Sequence, residues 1–106
     1  MNTPRQSGEA QPLAIAATDF DDPRSCDDFL ALLDHYMRSP TGNGKPMSDE
    51  LRQRLPAELR RRPQVLSYIA YRVSDIGRCP VGLINCVEGF STFAGRPLLN
   101  VHDIVV

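Results

Sequence analysis

At 106 residues the chain has room for one domain, able to bury about 65% of its unfolded surface around one core. Its composition, 42% apolar and 24% charged, excludes wholesale disorder and argues for a soluble globular fold. The net charge of −1 provides no general electrostatic footprint for nucleic acid or an anionic membrane. No apolar run approaches the ~20 residues of a membrane helix. The opening stretch MNTPRQSGEAQ lacks the apolar segment of a signal peptide, so residues 1–11 are expected to be a disordered lead-in. Cys26, Cys79 and Cys86 are odd in number and have no metal-type spacing, so a reducing cytoplasm and no metal site are expected.

In chain order, PLAIAA (12–17) is short and apolar and predicts a first strand. TDFDDPRSCDD follows, dense in turn and capping residues, with Ser25 or Asp27 as the cap of a helix over 27–38. There Phe29, Leu32, Leu33, Tyr36 and Met37 recur at helical spacing and form one apolar stripe. Tyr36 belongs to that stripe, and it reads either as core or as a substrate-binding residue. SPTGNGKP (39–46) is a loop. Ser48 caps a second helix through Leu55, and Pro56 is expected to break it and open a further turn ending in Arg60, Arg61 and Arg62. That basic cluster reads as a solvated helix end or as a phosphate contact.

Near residue 64 the period changes to two. QVLSYIAYRV and VGLINCVEGF are strands apolar on both faces, hence expected to be covered on both. SDIGRCP is the turn between them, and STFAGRP leads into the last strand, LLNVHDIVV (98–106). Short links make neighbouring strands antiparallel. The fold class is therefore α+β, with an antiparallel four-stranded sheet in the order 1-2-3-4 and two N-terminal helices packed on it.

Polar residues interrupt the last two strands. Strict alternation groups Asp103 with Leu99, Val101 and Val105, so the carboxylate is either tolerated on an apolar face or re-aimed by a bulge. Glu88 lies in line with Ile84 and Cys86, either at a solvated strand end or facing a cleft as a base. Asn85 and Asn100 are hydrogen-bonding candidates on the same two strands. Cys86 reads as a buried packing residue.

The segment RCPVGLINCVEGFSTFAGRPLLNVHDIVV resembles the GNAT superfamily of acyl-CoA-dependent N-acyltransferases. PVGLINCVEGFS is similar to the family's third strand, and HDIVV to the fourth strand of glucosamine-phosphate and related small-amine acetyltransferases. The resemblance covers residues 12–106 and implies an acetyltransferase that uses acetyl-CoA and acts on a small primary amine. It implies that Ile104, Val105 and Val106 bind the cofactor through backbone, beside the thioester. It also places His102 and Asp103 near the acceptor amine, as catalytic candidates with Glu88, and Tyr36, Asn85 and Asn100 as substrate-binding candidates. In the family a Gly-rich loop opening a helix follows the fourth strand and holds the acyl-CoA pyrophosphate, as helix N-termini hold anions generally. Residues 1–106 do not contain that loop. Gly42 and Gly44, the only G-x-G, follow a helix and not a strand. Residues 12–106 thus read as a truncated GNAT-like domain, a partial GNAT fold expected to be inactive alone. The alternative reading is a non-catalytic module that self-associates through strand 98–106, and a homo-oligomer through that strand is expected in either case.

Overall fold

Two helices and four strands follow one another in residues 12–106, the part of the chain described by this computed structural model; the lead-in expected for residues 1–11 lies outside it. Strand β1 spans Leu13–Ala17, helix α1 Pro23–Arg38 and helix α2 Asp49–Arg60. Strands β2, β3 and β4 span Val65–Ser74, Gly77–Ser91 and Arg96–Val105. They form one antiparallel sheet in the order β1-β2-β3-β4, the order that the short connections predict.

Helix α1 begins earlier than its apolar stripe suggests. Asp22, not Ser25 or Asp27, is the cap: its carboxylate accepts from the Arg24 N–H at 3.1 Å, and Pro23 occupies the first turn, where its missing N–H costs nothing. The helix ends where Ser39 bonds back to Tyr36. The N–H groups of Asn43 and Gly44 then bond to the Met37 carbonyl at 3.1 and 2.9 Å. Gly42 lies so close to the Tyr36 and Met37 backbone that a Cβ would collide with it, and Gly44 has φ +71°. The G-x-G is thus the C-terminal closure of a helix. From α1, Asp34 reaches across to accept from the buried Met47 N–H at 2.7 Å. That bond, aided by Arg38, holds the Asp34 carboxyl below the usual carboxylate range.

Helix α2, capped by Ser48 as expected, runs through Pro56 instead of breaking there. A proline inside a helix forfeits one backbone bond and costs about 3 kcal/mol. Leu51, Leu55 and Leu59, each four residues apart, all pack against the core, and this continuous face offsets the loss. Arg60 donates to the Phe20 carbonyl at 2.8 Å and pairs with Asp21, while Arg61 and Arg62 pair with Glu58. The basic cluster is therefore tied into local ion pairs.

The hairpins are tighter than the turn residues suggest. Only Asp75 and Ile76 separate β2 from β3, so most of SDIGRCP is strand. Gly77, at φ +124°, enters β3 in a conformation that side chains disfavour. The registers Ala70–Gly82 and Tyr71–Pro80 leave Val81 as an extra residue, a bulge that accommodates a proline in the strand. It also brings Arg78 over the Tyr71 ring, 4.2 Å from its centroid.

The core lies on one side of the sheet. Phe29, Leu30 and Leu33 of α1 pack with Met47, Ile69, Tyr71, Leu83 and Val105, and Phe20 meets Phe29 edge-on at 5.1 Å. Full burial of side chains of this size contributes roughly 1.5–3 kcal/mol each. The opposite side differs from the expectation of a doubly covered sheet. Leu13, Ile15, Tyr68, Leu99, Val101 and Ile104 are all exposed there. An apolar run shows that a strand can be buried on both faces, and both helices of the described residues pack on the core side.

Tyr71 ties helix to sheet: its hydroxyl donates to Asp28 Oδ2 at 2.8 Å. Burial, and then that bond, push its pKa up to about 12. A phenol whose folded pKa exceeds its unfolded value of ~10 stabilises the fold fully below pH ~10, and this stabilisation is lost as pH rises towards 12. Absorbance titration of the folded chain is expected to show a tyrosine step at about pH 12, and Asp28→Ala, which removes the bond but not the burial, to lower it part of the way.

Candidate functional site

Strand β4 holds the polar residues that interrupt its apolar pattern, and a bulge decides where they go. Asn85 pairs with Asp103, but its neighbour Cys86 pairs with Val101, which leaves His102 unmatched. One extra residue shifts the alternation by one step. Leu99 and Val101, each 54% exposed, face away from the helices. Asp103 joins Asn85 and Val105 on the helix side. The break in the pattern at Asp103 is therefore a bulge, the second of the two readings that the sequence leaves open.

Asn85 is buried at 7% exposure, and its Nδ2 donates to Asp103 Oδ2 at 3.2 Å. Its Oδ1 is buried with no hydrogen-bond partner among the described residues. An acceptor left in that state costs about 1–3 kcal/mol relative to one that is satisfied. The two residues line a cavity of about 190 Å³ between the helices and the sheet. Phe29 and Leu33 come from α1, Leu55 and Leu59 from α2, Val65 from β2, Val87 from β3 and His102 from the bulge. The site thus combines apolar walls with a half-buried carboxylate, an imidazole and an unpaired amide oxygen.

The other candidate residues lie elsewhere. Glu88 pairs with Leu99 and is exposed at a second, shallow depression with Pro63, Gln64 and Pro97. It shares its face with Ile84 and Cys86, away from Asn85. Asn100 is exposed, opposite Val87. Tyr36 is half-buried against the core and does not line the cavity. Ile104 is exposed, Val105 is core and Val106 is fully exposed, and all three border an apolar depression with Leu13, Ile15 and Tyr68 on the uncovered side of the sheet. The outer edge of β4 is paired with no other strand among the described residues. No three His, Cys, Asp or Glu side chains come together there in a way that would hold a metal ion. No helix of the described residues is long and apolar enough to cross a membrane.

The cavity walls are absent from the residues singled out in the sequence. Phe29, Leu33 and Leu55 carry the signal of core residues, and a helix thought to break at Pro56 hides that Leu59 continues the face. For the polar pair, Asp103→Ala leaves Asn85 Nδ2 buried without an acceptor and is expected to cost about 1–3 kcal/mol in urea unfolding. The double variant Asn85→Leu/Asp103→Ala is expected to recover most of that loss. A purely additive double variant would show that the pair is not coupled.

No protein-family model and no curated protein matches the chain. Among solved structures it is similar to the crystal structure of an acetyltransferase from Trypanosoma brucei, at a TM-score of 0.56 and 24% identity. The likeness covers 90% of this chain and 60% of that one, so the chain spans about three-fifths of its structural neighbour's length. Two helices on a four-stranded antiparallel sheet, in this order and with this neighbour, form an α+β fold consistent with a partial GNAT fold.

Proposed function

We infer that the chain is part of an acyl-CoA-dependent N-acetyltransferase of GNAT type that acts on a small primary amine. The observation that carries this reading is the bulge at His102, in a fold shared with an acetyltransferase. It turns a carboxylate into a cavity while leaving the backbone of residues 104–106 at the sheet edge.

Acetyl transfer to an amine needs a base for the ammonium proton, a donor for the oxygen that becomes anionic, and a proton for the departing thiolate. The net change is R–NH₃⁺ plus thioester to R–NH–CO–CH₃ plus thiol, with one proton released. Asp103 lines the cavity, and its carboxylate orients the ammonium and draws off the proton directly or through His102, the imidazole beside it. Glu88 lies on the other face, where it would serve only an amine entering from that side. Acetyl-CoA supplies the activated acyl group. The chain fits its pantetheine arm in one respect: the outer edge of β4 presents main-chain groups that no strand of the described residues uses, and amide-bearing ligands add to such edges. Ile104, Val105 and Val106 would hold it there.

The test is a backbone-amide NMR titration of the chain with acetyl-CoA. Shifts that saturate and centre on Ile104–Val106 are expected, and an unperturbed β4 in the presence of millimolar ligand would reject the assignment.

A second reading, a non-catalytic module that self-associates through β4, is favoured by one observation. Leu98, Leu99, Val101 and Ile104 are all exposed on an edge strand of the described sheet. Such an edge recruits another strand, and the same strand of a second copy pairs about a two-fold axis. Sedimentation is expected to show a dimer or larger species, and Val101→Lys, on an exposed position outside the core, to shift it to monomer. A monomeric parent chain at ~100 μM would remove this reading.

A further inference from the structure

The cavity beneath α1 and α2 is selective in what it lacks. Among its lining residues only Asn85, His102 and Asp103 are polar, and none is Lys or Arg. Asn85 donates to Asp103 and keeps Oδ1 buried without a donor among the described residues. Asp103 fixes that orientation, because flipping the amide would set Oδ1 against the carboxylate. The polar end of the cavity therefore carries the Asp103 carboxylate, with the unfilled but covered Asn85 acceptor beside it, and the remaining walls are Phe29, Leu33, Leu55, Leu59, Val65 and Val87.

We propose that this cavity recognises a primary ammonium group carried on an apolar alkyl or aryl body, with Asp103 as counter-charge and Asn85 Oδ1 as second acceptor. The inference rests on the acetyltransferase reading above and narrows its acceptor. An ammonium group has three donors and no acceptor, which complements the pair. Apolar cavities of about 150 Å³ take up a benzene ring, so about 190 Å³ accommodates a ring or a short alkyl chain. Oδ1 is covered, so the ammonium meets Asp103 first. A phosphorylated amino sugar fits poorly: its phosphate would lose water among leucines, with no cation of the cavity to offset the loss.

The experiment is an NMR titration of the full chain with 2-phenylethylamine, 2-phenylethanol and glucosamine 6-phosphate, followed on the Asn85 side-chain amide and on the Val87, His102 and Asp103 backbone. The amine is expected to saturate these signals, and the alcohol to bind at least about tenfold more weakly, having no charge for Asp103. Glucosamine 6-phosphate is expected not to saturate them. Asp103→Asn, which keeps shape and hydrogen-bonding capacity, is expected to weaken the amine by about tenfold or more. Leu55→Trp, which fills the cavity from α2, is expected to abolish binding. Equal binding of amine and alcohol, saturation by glucosamine 6-phosphate, or shifts confined to the opposite sheet face around Ile15 and Ile104 would each overturn the proposal. The acetyl-CoA titration separates this outcome from the failure of the parent reading. Acetyl-CoA on β4 without amine in the cavity leaves the acetyltransferase and rejects this acceptor class. Amine in the cavity with β4 untouched by acetyl-CoA does the reverse.

Discussion

The single unmatched residue His102 organises the C-terminal half of the sheet. Without it β4 would continue in strict alternation, and Asp103 would stand with Leu99 and Val101 on the face away from the helices. The extra residue reverses the phase at one point, so Asp103 meets Asn85 beneath the helices while Val105 enters the core. Both consequences are needed together. Val105 anchors the end of β4 against Leu83, its register partner, and a carboxylate beside an anchored residue keeps a fixed position. Loss of the bulge would move a charge and a core valine to the wrong sides at once, which is why a local irregularity of this kind is strongly specified by burial.

The helices supply the other constraint. α1 is fixed to the sheet through Phe29, Leu33 and the Tyr71–Asp28 bond, and to α2 through the grip of Asp34 on Met47. α2 contributes only half-buried leucines and no fully buried residue, so it packs as a cover and not as a pillar. A cavity remains where this cover meets the bulged strand.

Much of this architecture is legible in the sequence, for reasons that also explain what is not. The change of period near residue 64 separates helices from strands because each period reports one buried face. Short links with Gly and Pro then leave little choice but an antiparallel meander. Asp103 signals either a carboxylate tolerated in an apolar phase or a bulge, and only the register decides for the bulge. Pro56 misleads, since a local propensity of about 3 kcal/mol yields to the packing of Leu51, Leu55 and Leu59, which sequence cannot weigh. The bare sheet face misleads in the opposite direction: Ile15 and Tyr68 have the composition of covered residues and are exposed. The Asn85–Asp103 bond is illegible altogether. It joins residues 18 apart through a register that one unmatched residue sets, and no periodicity carries that information.

Geometry also limits how donor and acceptor could meet under the proposed reading. Consecutive Cα atoms lie 3.8 Å apart, and their side chains point to opposite faces of a strand. Asp103 addresses the cavity on the helix side, while Ile104 is exposed on the other side. An amine held by Asp103 and a thioester lying along the backbone of residues 104–106 would therefore approach each other across the edge of β4, not through the sheet. Under that reading, replacing Ile104 would alter the wall proposed for the acyl donor and leave the Asp103 carboxylate in place. Replacing Asp103 would do the opposite. A strand that assigns two neighbouring residues to two reactants has to be an edge, or be splayed from its neighbour, at that point; a flat, fully paired strand in the sheet interior could not serve both.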